Sequence, residues 1–155
     1  MTTRREFLVL ACGAFATTAQ AQLDPNRDAL RRAVFEDAVR KVTGGAPISS
    51  GRVKLDLPPL IDNGNSVPLS ITVESPMTAT DHVKAIHVFV EKNPQPYVVS
   101  VYLGPRAGRA SITTRARVAD TGKVIAIAQL SDGSFWSDSV AVVVTLSACL
   151  EEGLI

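Results

Sequence analysis

Few side chains in this sequence are of types that do chemistry on their own: two cysteines, Cys12 and Cys149, two histidines, His82 and His87, and one tryptophan, Trp136. A cysteine thiolate is a nucleophile and a point of covalent attachment, and an imidazole is a metal ligand or a general base. His82 and His87 are five residues apart on one expected strand. An odd spacing sends them to opposite faces, so they cannot share a metal, and both are expected to be polar surface or edge residues. A Cys–His nucleophilic pair would need a spatial proximity that nothing in the sequence indicates. No phosphate loop, dinucleotide fingerprint, calcium loop or nucleophile elbow is present. No catalytic residue, metal site or cofactor is therefore expected. Trp136 closes the run Asp132-Gly133-Ser134-Phe135-Trp136, which reads as a hairpin turn followed by a core aromatic rather than as a ligand-stacking site.

The first 21 residues read as an export signal. Arg4 and Arg5 form a twin-arginine pair ahead of an apolar run from Leu8 to Ala16, and Ala19-Gln20-Ala21 is a small-x-small cleavage site. The run is about nine residues long, whereas a spanning helix needs about 20, so no membrane anchor is expected after cleavage. Val9-Leu10-Ala11 makes a poor lipidation site before Cys12. Cleavage after Ala21 removes Cys12 and leaves Cys149 as the single cysteine of the mature chain. The expected location is the periplasm, reached by the twin-arginine route. In that oxidising compartment an odd cysteine is either buried, paired with another chain, or kept as a free thiol.

The 155 residues are 46% hydrophobic and 20% charged, with 16 Lys and Arg against 15 Asp and Glu. That balance describes one ordinary globular domain and excludes an electrostatic nucleic-acid binder, an anionic-membrane binder and a disordered chain. From Asp24 to Val42, Leu30, Val34, Ala38 and Val42 recur every fourth residue with Ala33 and Phe35 beside them, which predicts one amphipathic helix. Asp24-Pro25 starts it and Thr43-Gly44-Gly45-Ala46-Pro47 stops it. Ile48-Ser49-Ser50-Gly51 is expected to be a turn or short linker.

Beyond Gly51 the period changes to two. Seven strands are predicted: Arg52 to Leu57, Val67 to Val73, Ile86 to Val90, Tyr97 to Leu103, Ala110 to Val118, Val124 to Ala128, and Val140 to Leu146. Arg109, Arg115 and Arg117 fall on the wet face of the fifth. The third and sixth are apolar at most positions, as strands covered on both faces would be. No helical pattern intervenes, so the sheets are expected to be antiparallel. The fold class is all-β, an immunoglobulin-like antiparallel sandwich with an N-terminal helix after the signal peptide. The expected organisation is signal peptide 1–21, helix and linker 24–47, sandwich 51–146 and a C-terminal arm 147–155.

Cys149 sits beyond the last apolar alternation, on the arm. Three extended residues from Leu146 reach about 10 Å, enough to present a sulfur to another protein. The other reading is a cysteine packed as a small hydrophobe against the core.

Several stretches resemble one family, the SoxY subunits of the Sox sulfur-oxidation system. They are Asn63-Gly64-Asn65-Ser66-Val67-Pro68, Ser75-Pro76-Met77-Thr78, Asp81-His82-Val83-Lys84-Ala85-Ile86-His87, Lys92-Asn93-Pro94, Thr114-Arg115-Ala116-Arg117-Val118-Ala119 and Ser131-Asp132-Gly133-Ser134-Phe135-Trp136. The resemblance implies a non-enzymatic sulfur-compound carrier that pairs with a SoxZ-like subunit and holds thiosulfate-derived intermediates on Cys149. Enzymes of the SoxXA, SoxB and SoxCD types would load the cargo, release sulfate and oxidise the remaining sulfur. The family's arm is glycine-rich on both sides of its cysteine. Here it reads Ser147-Ala148-Cys149-Leu150-Glu151-Glu152-Gly153-Leu154-Ile155, which is bulkier and more acidic. Glu151 and Glu152 disfavour a thiolate, whereas a helix capped by Ser147 would favour one. The alternative is a SoxY-like interaction subunit that has lost the carrier arm.

Overall fold

The period-two alternation becomes two sheets packed face to face. The computed structural model describes residues 25–146: helix α1 (Pro25–Thr43), then β1 (Ile48–Ser50), β2 (Val53–Asp56), β3 (Leu60–Asn63), β4 (Val67–Val73), β5 (Val83–Val90), β6 (Tyr97–Tyr102), β7 (Ala110–Ala116), β8 (Gly122–Leu130) and β9 (Phe135–Leu146). The larger sheet has the order β1-β9-β8-β5-β6, with β3 also pairing to β9, and the smaller sheet is β2-β4-β7. This is the mostly β, immunoglobulin-like sandwich with one N-terminal helix that the sequence predicts.

Inner residues of both sheets interdigitate. Val67, Leu69, Ile71 and Val73 of β4 face Ile86, Val88 and Val90 of β5 and Val124, Ala126 and Ala128 of β8, all buried. Fully burying such a side chain is worth about 1.5–3 kcal/mol, so this layer dominates the stability. On the solvent face of the smaller sheet, Ser70 pairs with Thr113 and Thr72 with Ser111, as the β4–β7 register requires.

The strand count differs from expectation by two short strands. Ile48–Ser50, read as a turn, is β1, and Leu60–Asn63 is β3; both run parallel to β9. Parallel pairing without a helical crossover is possible here because nearly the whole sandwich lies between the partners in sequence and serves as the connection. Three or four residues are too few for periodicity to register. The last strand also begins earlier, at Phe135 rather than Val140.

The second layer lies outside the larger sheet. Phe35, Ala38, Val39 and Val42 of α1 pack on Phe89, Ile127 and Phe135, with the Phe35 and Phe89 rings edge to face at 6.3 Å. Leu30 and Val34, expected on this face, are 49% and 50% exposed. The reason is helical pitch: each four-residue step overshoots a full turn by about 40°, so a strict every-fourth series drifts off any one face. Arg31 takes the inward place and pairs with Asp120 at 3.8 Å, its side chain only 12% exposed. Gly44 and Gly45, at φ 63° and 81°, stop the helix in the left-handed region that glycine enters without strain.

Candidate functional site

Strand β9 is held on both sides as far as Val144, and on the β3 side to its last residue, Leu146. On one side it pairs with β8, and the Val144 N–H donates to Thr121 Oγ1 at 3.0 Å. On the other it pairs with β3, Ile61 opposite Val144 and Asn63 opposite Leu146. Thr145 Oγ1 donates to the carbonyls of Ile61 and Asp62. The Gly64 N–H donates to the Leu146 carbonyl at 2.9 Å, and the Val118 N–H donates to the Gly64 carbonyl at 2.8 Å. Leu146, the last described residue, is thus tied to the sandwich three positions before Cys149.

The surroundings of that point are polar. The Asn65 N–H donates to Asn63 Oδ1 at 2.9 Å, closing the turn beside Gly64. Arg115 Nη1 lies 3.4 Å from Ser66 Oγ on the same turn. Asn93 bridges residues 117 to 119, accepting from the Ala119 N–H and donating to the Arg117 carbonyl, both at 2.8 Å. The sequence places Arg115 and Arg117 on a wet face but gives no sign that their segment meets the turn at Gly64. That adjacency arises only through hydrogen bonds across segments far apart in the chain.

Cys149 itself, and the signal residues Arg4, Arg5, Ala19 and Ala21, lie outside the described residues. Of the residues weighed for chemistry, His87 is a correction. Expected at a surface or edge, it is 5% exposed. Strand β5 is interior to the larger sheet, and His87 shares with Phe89 the outer face that α1 and the β6 tyrosines cover. A polar group buried there needs partners, and β6 supplies them: His87 Nδ1 bonds Tyr97 Oη and Ser100 Oγ. Burial holds the His87 imidazole below its ordinary pKa, because desolvation penalises the cation. His82 precedes β5 instead of lying on it and is partly buried.

Trp136 is at the rim of the main core rather than inside it, and Phe135 is the buried neighbour, turned toward α1. The Trp136 ring is covered by the Arg52 guanidinium at 5.1 Å. Ser131 ties His82 and Thr80 to the β8–β9 turn. These residues occupy the end of β9 opposite the arm, since 12 residues of strand span about 40 Å.

The same ruler limits what Cys149 can reach. His87 pairs through Ile127 with Ser137, nine residues up β9 from Leu146, or about 30 Å away along the strands. Three extended residues cover about 11 Å at most. Neither histidine of the chain can therefore activate Cys149 within the same molecule. Among the described residues no group of three or more His, Cys, Asp or Glu side chains converges as metal ligands would.

The fold defines a class among the described residues: an immunoglobulin-like sandwich with one N-terminal helix and no converging metal-ligand cluster. The chain belongs to a family within that class, the sulfur oxidation protein SoxY, whose model matches residues 39–149 and so extends to Cys149. No curated protein sequence matches the chain. Among solved structures, the sulfur carrier protein SoxY from Chlorobium limicola f thiosulfatophilum is similar at a TM-score of 0.62 and 24% identity, covering 74% of this chain and 98% of that one. The superoxide reductase (neelaredoxin) from Ignicoccus hospitalis has a TM-score of 0.55 at 15% identity, covering 63% of this chain and 94% of its own. At these identities the likenesses are of fold.

Proposed function

We propose that this protein is a periplasmic carrier that holds thiosulfate-derived sulfur on Cys149 while separate enzymes act on it. The observation that carries the reading is that the family match runs through the last strand to Cys149, three positions past Leu146, which β3 and Gly64 tie to the sandwich. In the loading step the Cys149 sulfur bonds to the outer sulfur of thiosulfate. The thiol proton and two electrons leave, the electrons passing to a haem oxidant of the SoxXA type. A hydrolase of the SoxB type then uses water to break the sulfur–sulfonate bond and release sulfate, leaving a persulfide for a SoxCD-type enzyme. The carrier contributes position and exposure, and the bond-breaking groups belong to the enzymes.

A SoxZ-like partner belongs to the same reading. β6 is one edge of the larger sheet, carries no charged residue, and exposes Tyr97 and Tyr102, 41% and 77% accessible. An uncharged edge of this kind is suited to a second sandwich. Export by the twin-arginine route carries folded cargo, which would let the pair cross together.

The experiment is the intact mass of the mature protein with its partner, before and after thiosulfate and the haem oxidant, and again after reduction. A reducible thiosulfonate-sized increment that maps to Cys149 and is lost in Cys149→Ser supports the carrier. The second reading, an interaction subunit without cargo, is motivated by the acidic, non-glycine arm. It is favoured if Cys149 stays unmodified beside a conventional carrier that loads in the same assay.

A further inference from the structure

We propose that β6 is a self-association edge: two copies of this chain pair their β6 strands antiparallel about a two-fold axis and form one continuous sheet. The proposal does not depend on Cys149. It concerns the edge that the carrier reading gives to a SoxZ-like subunit, and it makes the homodimer the form that holds this edge until that subunit displaces it.

Unpaired main chain is the first observation. The Leu103 N–H donates to the Lys84 carbonyl at 2.9 Å, and the register sets Val101 opposite Ile86 and Ser100 opposite His87. Alternation along an antiparallel ladder then turns Val99 and Val101 toward β5 and leaves the N–H and C=O groups of Ser100 and Tyr102 pointing outward. The one irregularity, a bulge at Val98, lies before this stretch. The other described edges are guarded. β1 has three residues and β3 four. β2 carries Lys54 and Asp56, and its Leu55 N–H is taken by Asp138 Oδ2 at 2.8 Å. β7 carries Arg115, with Arg109 just before it. Short strands and charges keep edges from pairing, and β6, with six uncharged residues, has neither protection. Edge-to-edge association of two copies is therefore β6 on β6, which a two-fold closes instead of extending into a fibre.

The fit of a second copy follows from the register. With Val101 on the axis, Ser100 of each copy lies opposite Tyr102 of the other, and the two pairs exchange four main-chain hydrogen bonds. Beside them a groove of about 490 Å3 runs between α1 and β6, lined by Val34, Ala38, Val42, Pro94, Pro96 and Tyr97. The same register carries the second copy's Pro105–Ala107 turn, which buries none of its own residues, alongside Tyr97 at the mouth of this groove. The groove's ionic groups, Asp37 and Lys41, pair with each other at 2.7 Å, so its surface suits an uncharged occupant. Tyr97 and Tyr102 are 41% and 77% exposed and offer about 240 Å2 per copy, at about 200 Å2 for a whole aromatic side chain. Together with the groove and the strand backbone this reaches about 1,000 Å2 in total, the low end of specific interfaces, and sets a micromolar dissociation constant.

The test is sedimentation of the full mature chain over a concentration series, with a reductant present so that a Cys149 disulfide between copies cannot imitate the association. The mass should double across the micromolar range. Tyr102→Lys places two ammonium groups about 8 Å apart across the axis and should weaken the dimer about tenfold or more, with the sandwich intact because Tyr102 is exposed. Hydrogen exchange read by NMR locates the contact: in a sample that is nine-tenths dimer, the Ser100 and Tyr102 amides should exchange about tenfold more slowly than in a dilute one. A chain that stays monomeric throughout the series overturns the proposal. So does a dimer that Tyr102→Lys leaves unchanged, or one in which the Ser100 and Tyr102 amides gain no protection. None of these outcomes decides whether Cys149 loads sulfur, which the mass measurement above reads separately.

Discussion

Ile61→Ala should loosen the root of the arm without dismantling the sandwich. Ile61 is 4% exposed, packs in the main core, and lies opposite Val144 in the β3–β9 register. β3 has only four residues, and besides its short ladder its ties to β9 include the Thr145 hydroxyl, the bond from the Val143 N–H to the Pro59 carbonyl at 2.8 Å and that from the Gly64 N–H to the Leu146 carbonyl. Truncating a buried isoleucine to alanine costs about 3 kcal/mol, the lower middle of the usual range. If β3 opens as its own unit, that cost falls on local opening, and about 1.4 kcal/mol is a factor of ten. Exchange of the Val143 amide should then accelerate about a hundredfold. The Val144 amide, which bonds Thr121 on the other side of the strand, and the amides of Ile86 and Ile127 at the sheet centre should change much less. Hydrogen exchange read by NMR on the mature chain separates these amides. Equal acceleration at all four positions would refute the reasoning, because it would mean that β3 opens only with the whole domain and that the exit point has no independent mobility.

Replacing His87 with Gln should alter the acid limb of stability. The folded pKa of His87 is depressed by burial, so its neutral form is favoured in the fold and protonation favours the unfolded chain. The native protein should lose stability as pH falls below the ordinary imidazole value of about 6.5, and the variant should lose less over that interval in denaturant titrations at stepped pH. Phe35→Ala removes the ring that meets Phe89 edge to face and should cost about 2–3 kcal/mol, less than a fully buried site because Phe35 is only partly covered. The loss should appear as faster exchange along α1 with the β5 and β8 amides still protected.

The layered architecture was legible because two periods, one near four and one of two, are strong signals over long segments. β4 and β7 alternate as their residues suggest, and β5 and β8 show the continuous burial that their composition implies. What escaped was either too short or too distant. β1 and β3 offer three and four residues, and their parallel pairing with β9 joins segments some 85 positions apart. The inward face of α1 was misplaced by reading every fourth residue as a straight stripe, when Arg31, Phe35, Ala38 and Val42 hold the packed face. His87 looked like a surface residue because its partners, Tyr97 and Ser100, come from the neighbouring strand. Of the candidate site, Cys149 stands out by arithmetic alone and lies outside the described residues. The tie from Leu146 through Gly64 to Val118 is recognisable only in the folded chain.

The last strand also has a mechanical meaning. On the proposed carrier reading, a tail drawn into an enzyme would pull on Leu146 along the axis of β9. That strand is bonded to β8 on one side and to β3 and β1 on the other, so the load falls on many hydrogen bonds at once, in shear. A hairpin edge would instead be peeled open one bond at a time. A sandwich built this way resists a pull on the end of its last strand without surrendering that strand.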